Sequence, residues 1–146
     1  MAGGDFLSAD EERRLVELIK TVERKTTGEV HVHIARKLSR KGVLADAAKA
    51  FSKLSIDKTR QRNGVLIYIV ERDRELACLG DSAIHEKVKD EGWKSLVDEL
   101  RARFAKGERF EGLRVAVERI GAILAEHFPP DGTESENELP DEISKS

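Results

Sequence analysis

The sequence predicts an α/β fold, a three-layer α/β/α sandwich on a small mixed sheet of three to four strands. Two segments carry this prediction. Side chains alternate between apolar and other types over residues 29–35, and residues 64–70 are a continuous apolar run. The first pattern is typical of a strand with one buried face, and the second of a central strand covered on both faces. Segments of helical periodicity surround both strands, so we expect helices on each face of the sheet.

The amino-terminal half of this fold begins with a helix predicted over residues 9–25. Ser8 and Glu11 match a capping box at its start. A short second helix is predicted over residues 43–54, between the two strands. Strands that are joined by such a helical crossover lie parallel, with a right-handed connection. We therefore expect the first two strands to be parallel neighbours.

The carboxyl-terminal half is predicted to contain one more strand and three helical segments. A third strand over residues 75–79 follows so short a turn that it should pair antiparallel with the second. Helical periodicity predicts a short stretch near 83–87 and two longer helices over 89–105 and 109–127. Two consecutive prolines then end the last helix.

The domain organisation follows from where these patterns begin and end. We predict a single domain over residues 8–129, preceded by a flexible leader over residues 1–7. Residues 130–146 contain six acidic residues, one basic residue and almost no apolar ones. Such a segment cannot bury enough apolar surface to fold, so we predict a disordered acidic tail.

Composition argues against several classes of protein. No apolar stretch is long enough to span a membrane, and the single cysteine cannot form an internal disulfide, so we expect a soluble cytoplasmic protein. The formal net charge is -2 and only 5% of residues are aromatic, which argues against nucleic-acid binding. There is no glycine-rich phosphate loop, so no nucleotide cofactor is expected. The composition leaves a protein partner open without identifying one, and we expect a monomer.

Polar residues gather where the strands begin or end. The predicted pairing places Glu29, Asn63 and Asp81 along one edge of the sheet, each beside a glycine. Two carboxylates and a carboxamide are the oxygen ligands that calcium prefers, so these three residues are the predicted metal ligands. The alternative is structural, because Asp81 could cap the helix that follows and Glu29 could pair with Arg62 or Arg60.

Two further groups of residues are candidate sites. His31 and His33 share one face of the first strand, and Cys78 on the third strand could join them at a metal, although packed histidines and a core cysteine are the commoner case. The opposite edge of the sheet is predicted to be basic. An anion could bind there, or the loops could simply be solvated; the residues are Arg36, Lys37, Arg40, Lys41, Arg72 and Arg74.

Several short motifs occur along the chain. They are Thr27-Gly28-Glu29-Val30-His31-Val32, then Thr59 with Arg62-Asn63-Gly64-Val65-Leu66-Ile67-Tyr68, then Gly80-Asp81 with Ile84, and Gly112-Leu113. Together they resemble the TPM domain family, which includes thylakoid-lumen repair proteins and many bacterial proteins. The resemblance covers about residues 20–129, and the closing Ala-Glu-His-Phe-Pro is similar to the soluble bacterial branch.

The resemblance implies a Rossmann-like sandwich, with an acid phosphatase activity reported for some members and calcium binding for others. It carries over onto Glu29, Asn63 and Asp81 as site positions. One departure stands out, because Arg62 occupies a position where the family often has aspartate.

Three functions follow as expectations. The first is a binding or regulatory module with a calcium site at the polar edge, formed by Glu29, Asn63 and Asp81. The second is a weak acid phosphatase, a phosphomonoester hydrolase with Asp81 and Arg62 as candidate catalytic residues. The third is a protein-interaction domain that uses the acidic tail.

Overall fold

The computed structural model describes residues 6–132 and 142–146, and its sheet has four strands in the order β3-β2-β1-β4. β1 pairs parallel with β2 over all seven residues, from Glu29 opposite Gly64 to Ala35 opposite Val70. β2 pairs antiparallel with β3, and β1 pairs parallel with β4. The predicted mixed sheet is therefore confirmed, and its strands are β1 (Glu29–Ala35), β2 (Gly64–Val70), β3 (Glu75–Gly80) and β4 (Ile143–Lys145).

Helices cover both faces of this sheet, as the sequence predicts. One face packs against the first, third and fourth helices, and the other packs against the second helix and a 3-10 turn at Ile56–Lys58. The α/β/α sandwich is thus confirmed. The four helices are α1 (Ala9–Glu23), α2 (Val43–Lys53), α3 (Ser82–Ala105) and α4 (Arg109–His127). No helix in the described ranges is both long and apolar enough to cross a membrane.

Strand β1 is buried on both faces, where its alternation predicted only one buried face. Val30, Val32 and Ile34 face the larger core, and His31 and His33 face the α2 side of the sheet. The second face is covered because Ser144 of β4 and the ring of Tyr68 on β2 pack against His33 there. The alternation identified the apolar face correctly and did not show that the histidine face is also buried.

The end of the predicted disordered tail is ordered. Residues 142–146 extend along β1, with the Val32 N–H donating to Glu142 O at 2.9 Å and the Ser146 N–H donating to Ile34 O at 3.1 Å. Ile143 packs against the larger core, and this contact orients the short strand. The prediction of disorder is wrong for these five residues. The structure also describes residues 130–132, where Gln61 Nε2 donates to Asp131 Oδ2 at 3.4 Å, and the part over 133–141 lies outside the described residues.

The predicted flexible leader also needs a correction at its last two residues. Leu7 is only 1% exposed, and the Phe6 ring packs edge-on against Phe104 with centroids 5.2 Å apart. Burial of these side chains fixes the chain just before the capping box of Ser8 and Glu11, whose two hydrogen bonds are both present. Residues 1–5 lie outside the described part of the chain.

The two helical segments predicted over 83–87 and 89–105 are both present, and a kink at Lys89 separates them within the span of α3. α3 runs from Ser82 to Ala105, and Lys89 within it has φ 64° and ψ 170°, which is not helical. A lysine at positive φ is uncommon, and it interrupts the helical hydrogen bonding locally. The break explains why the sequence shows two patterns of periodicity here.

Candidate functional site

Three loops meet at the amino end of β1 and β2, and we call this surface the three-loop edge: residues 27–29, 62–64 and 80–81. Glu29 lies opposite Gly64 in the register of the parallel strands. The Asp81 N–H donates to Gly64 O at 2.9 Å, and the Ala83 N–H donates to Arg62 O at 3.0 Å. Backbone pairing therefore brings the loops of Glu29, Asn63 and Asp81 together.

Asn63 is the most deeply buried residue of this edge, with no exposed surface. Its amide Nδ2 donates to Thr27 Oγ1 at 3.0 Å, and its backbone N–H donates to Thr59 Oγ1 at 3.2 Å. The carboxamide oxygen Oδ1, in contrast, is buried without a hydrogen-bond partner. A buried acceptor in this state costs about 1–3 kcal/mol, so it requires an explanation.

Asp81 caps a helix with one carboxylate oxygen, and its other carboxylate oxygen has no hydrogen bond. Its Oδ1 accepts the Ser82 N–H at 2.7 Å at the N-cap of α3, so the predicted capping is present. Its Oδ2 lies 3.2 Å from Arg62 Nε in an ion pair, although the geometry is not that of a hydrogen bond. The Asp81 side chain is buried, whereas 56% of the Arg62 side chain is exposed. Arg62 therefore pairs with Asp81 from the solvent side.

Two buried glutamates lie at the other end of the edge. Glu29 and Glu23 are 6% and 8% exposed, and Glu23 Oε2 accepts the Val30 N–H at 2.8 Å. Burial, followed by the charge of Glu29, raises the pKa of Glu23 from 4.5 to about 8, and Glu142 adds to the rise. The hydrogen bond from Val30 lowers this pKa and only partly offsets the effect. Glu23 is therefore mostly protonated at neutral pH.

Sequence reasoning missed Glu23, although the signal for it was present. Leu15, Ile19 and Glu23 follow one another at spacings of four residues, so all three lie on the buried face of α1. A glutamate in such a stripe is unusual and marks a carboxyl group that must be hydrogen-bonded or protonated. Asp57 was missed as well, and its buried Oδ1 also has no hydrogen-bond partner.

The histidine pair is covered by the carboxyl-terminal strand. Ser144 Oγ lies 2.9 Å from His31 Nε2 and 2.6 Å from His33 Nδ1, and Ser146 Oγ lies 2.8 Å from His33 Nε2. The pKa of His33 is lowered by burial and then by the charge of Lys53. These contacts are those of packed strand histidines.

Cys78 does not join this histidine pair. It belongs to the larger core on the opposite face of the sheet, and burial raises the pKa of its thiol to about 12. The proposed histidine–cysteine metal site is therefore wrong. In residues 6–132 and 142–146, no group of three or more histidine, cysteine, aspartate or glutamate side chains is arranged to hold a metal ion.

The basic residues at the carboxyl end of β1 and β2 border an open cavity of about 690 Å³. Arg36, Lys37 and Arg72 line it together with Glu71 and Ser146. The Arg72 N–H donates to Arg36 O at 3.0 Å, which joins the two loops. Anion binding at this place stays a prediction.

Comparison with known proteins adds a family and a fold. A family model described as the TPM domain matches residues 2–123. The NMR structure of the BA42 protein from the psychrophilic bacterium Bizionia argentinensis is 34% identical, with a TM-score of 0.87 and 99% of each chain covered. The solution NMR structure of the N-terminal domain of a protein from P. gingivalis is 17% identical, with a TM-score of 0.72 over 86% of this chain and 82% of that one. At that identity it shows the fold alone. No curated protein matches the chain.

Proposed function

The chain belongs to the TPM domain family, and from that premise we propose that its three-loop edge binds a calcium ion and makes the domain a cation-responsive binding module. The carbonyl oxygen of Asn63 is the observation that carries this proposal. It is fully buried, and no hydrogen bond satisfies it. An acceptor that is held in place by its neighbours and left without a donor is suited to a cation.

The oxygen ligands available at this edge fit calcium in type. Asn63 would offer its carboxamide oxygen, and Asp81 and Glu29 would offer carboxylates, with water and backbone carbonyl groups completing the shell. Both carboxylates are buried, so their attraction for a cation is less screened than that of surface groups. A calcium ion would supply the positive charge that Asp81 now receives from Arg62.

The main free-energy cost of calcium binding is the displacement of Arg62 from Asp81. Its guanidinium lies 3.2 Å from Asp81 Oδ2 and would have to move aside for a cation. More than half of its side chain is exposed, so it can rotate into solvent without disrupting the core. We therefore expect weak affinity, with Arg62 acting as a competitor for Asp81.

Hydrolysis of phosphomonoesters is the alternative function for the same edge. It is supported by the placement of Arg62 beside Asp81, because an arginine can hold a phosphate and a neighbouring carboxylate can act as a base or as a metal ligand. Asp81→Asn removes the charge but leaves a good N-cap residue. Unchanged hydrolysis in that variant would remove Asp81 from the mechanism.

A calcium titration that is followed by two-dimensional amide NMR tests the proposed site. We expect the peaks of residues 27–30, 62–65 and 80–84 to shift together and to saturate. Asp81→Asn should abolish the saturable shifts, whereas Asp98→Asn, on the exposed surface of α3, should leave them unchanged. Absence of saturable shifts at millimolar calcium, or equal affinity in both variants, would show that the edge is not a cation site.

The setting of this module is also proposed. We expect the protein to act as a monomer in the cytoplasm and to signal cation binding to a protein partner. The single buried cysteine is compatible with a reducing compartment.

A further inference from the structure

A second cavity lies far from the three-loop edge, at the opposite end of the sheet. It has a volume of about 440 Å³ and opens between the β2–β3 hairpin, the end of α3 and the start of α4. Its volume is within the range of small-molecule sites, about 300–1,000 Å³.

The floor of this cavity is apolar and partly aromatic. Ile69 and Leu76 supply buried aliphatic surface, at 2% and 4% exposure. Phe6 and Phe104 supply two half-buried rings at 77° to each other, with centroids 5.2 Å apart. Within the described part of the chain the cavity above these four side chains is open, and an apolar body placed there would contact both rings.

The rim of the cavity carries an excess of positive charge. Arg101 is paired with Glu75 at 3.2 Å. Arg109 Nη1 donates to Phe6 O at 3.2 Å, and its guanidinium lies 4.7 Å from the centre of the Phe6 ring. Arg74 has no ion pair or side-chain hydrogen bond within the described ranges. With Glu71 also at the rim, three arginines face two glutamates.

Arg74 is held at this rim by its backbone. It closes the β2–β3 turn at φ 55°, in the left-handed region that side chains other than glycine seldom adopt. The turn therefore fixes the direction of the Cα–Cβ bond of Arg74, from which the exposed side chain extends at the cavity rim. An arginine that is placed by the fold and left without a carboxylate partner is suited to an incoming anion.

We propose that this cavity binds a small amphiphilic carboxylate, with its apolar body on the aromatic floor and its carboxylate at Arg74. The single excess positive charge matches a monoanion better than a dianion or a cation. Arg109 at the rim contacts Phe6 in the floor, so the segment that precedes α1 helps to build the site. The site is independent of the proposed cation site, because the two share no residue.

Titration of the full chain with octanoate, below its micelle concentration and without calcium, tests this proposal by amide NMR. We expect saturable shifts near Leu76, Phe104 and Arg74. Octylammonium has the same tail and the opposite charge, and acetate has the head group without the tail. Both should bind far more weakly than octanoate.

Matched variants distinguish the site from unspecific adsorption. Arg74→Gln should weaken octanoate binding about fivefold, as expected for the loss of an exposed ion pair. Arg24→Gln, at the other end of the molecule, should change nothing. Ala105→Trp, at an exposed helical position that lines the cavity, should fill the space and abolish binding.

Three results would overturn the proposal. The first is octylammonium binding as tightly as octanoate, and the second is unchanged affinity in both Arg74→Gln and Ala105→Trp. The third is a set of nuclear Overhauser contacts between residues 1–5 and Phe104 that persist when octanoate is present, because the occupant would then be the chain's own amino terminus.

Discussion

At one end of the three-loop edge, Arg62 lies 3.2 Å from a buried carboxylate of Asp81. At the other end, burial and then the charge of Glu29 raise the pKa of Glu23. We call Arg62 and Asp81 the paired half, and Glu23 and Glu29 the acidic half. Both halves contain carboxyl groups taken out of water. The paired half compensates the charge with a cation, and the acidic half removes it by protonation.

In both halves, the protein itself offsets the charge of a buried carboxyl group. Two adjacent buried carboxylates repel each other, and a proton on Glu23 relieves that repulsion in the acidic half. The guanidinium of Arg62 does the same for Asp81 from the solvent side. The carbonyl oxygen of Asn63 has neither a proton nor a cation beside it, and no donor in the described residues forms a hydrogen bond to it.

The largest expected effect concerns the acidic half and its dependence on pH. The pKa of Glu23 is about 8 in the folded protein, against 4.5 for an unperturbed glutamate. Stability from the protonated form is complete below pH 4.5 and is lost as pH rises to 8, because the unfolded chain ionises first. A difference of one in pKa corresponds to about 1.4 kcal/mol, so the loss is roughly 3–5 kcal/mol.

Glu23→Gln should remove that loss, because glutamine can still accept the Val30 N–H and never ionises. The variant should be more stable than the native protein at pH 8 and similar to it at pH 4.5. Urea unfolding in chelator, followed by the fluorescence of Trp93, measures this. Glu91→Gln on the exposed side of α3 is the control, and equal pH slopes for Glu23→Gln and the native protein would contradict the account.

The next largest effect concerns the paired half. Asp81→Ala should destabilise the fold by about 1–2 kcal/mol, because the N-terminus of α3 loses the hydrogen bond from Ser82 N–H to the Asp81 carboxylate. Asp81→Asn should cost less, because asparagine is an equally good cap residue. Equilibrium unfolding compares the two. An equal loss in the two variants would mean that charge, not capping, stabilises this corner.

Removing Arg62 should raise the calcium affinity of the paired half. Arg62→Gln frees Asp81 of its competing charge, so calcium affinity should rise about tenfold, which corresponds to about 1.4 kcal/mol. Calorimetric titration of the native protein, Arg62→Gln and the control Lys87→Gln measures the change. An unaltered calcium affinity in Arg62→Gln would show that the cation does not bind at Asp81.

The smallest effect is expected from the carboxyl-terminal strand. Glu142 raises the pKa of Glu23 less than Glu29 does. Glu142→Gln should therefore lower that pKa, and Glu29→Gln should lower it further. Carbon-detected NMR titration of the Glu23 carboxyl group measures both changes, and the reverse order would contradict the assigned environment.

Much of the fold could be predicted because its signals are local. The apolar run of β2 and the alternation of β1 predict the two central strands, and the crossover length predicts their parallel pairing. The three-residue β4 could not be predicted in the same way, because so short a strand is stabilised by pairing with β1 and by the burial of Ile143. Phe6 and Leu7 were missed for the same reason.

The candidate site was only partly predictable. The order and direction of the strands predict that Glu29, Asn63 and Asp81 lie at one edge of the sheet, because each residue stands at a strand end that the pairing brings there. The unsatisfied oxygen of Asn63 depends on packing between distant segments, so no short segment encodes it. The buried Glu23, in contrast, is visible in the apolar stripe of α1, although its pKa depends on the packing around it.

Terbium luminescence gives the most direct test of the cation site, because terbium replaces calcium and emits when an excited indole lies close to it. Trp93 is the only tryptophan, and its ring packs against Gly80, where an added Cβ would lie 2.3 Å from the indole Cζ2. We predict indole-sensitised emission that saturates, that calcium reverses by competition, and that Asp81→Asn abolishes. Emission that is absent, or that is equally strong in Asp81→Asn, would contradict a cation site at the three-loop edge.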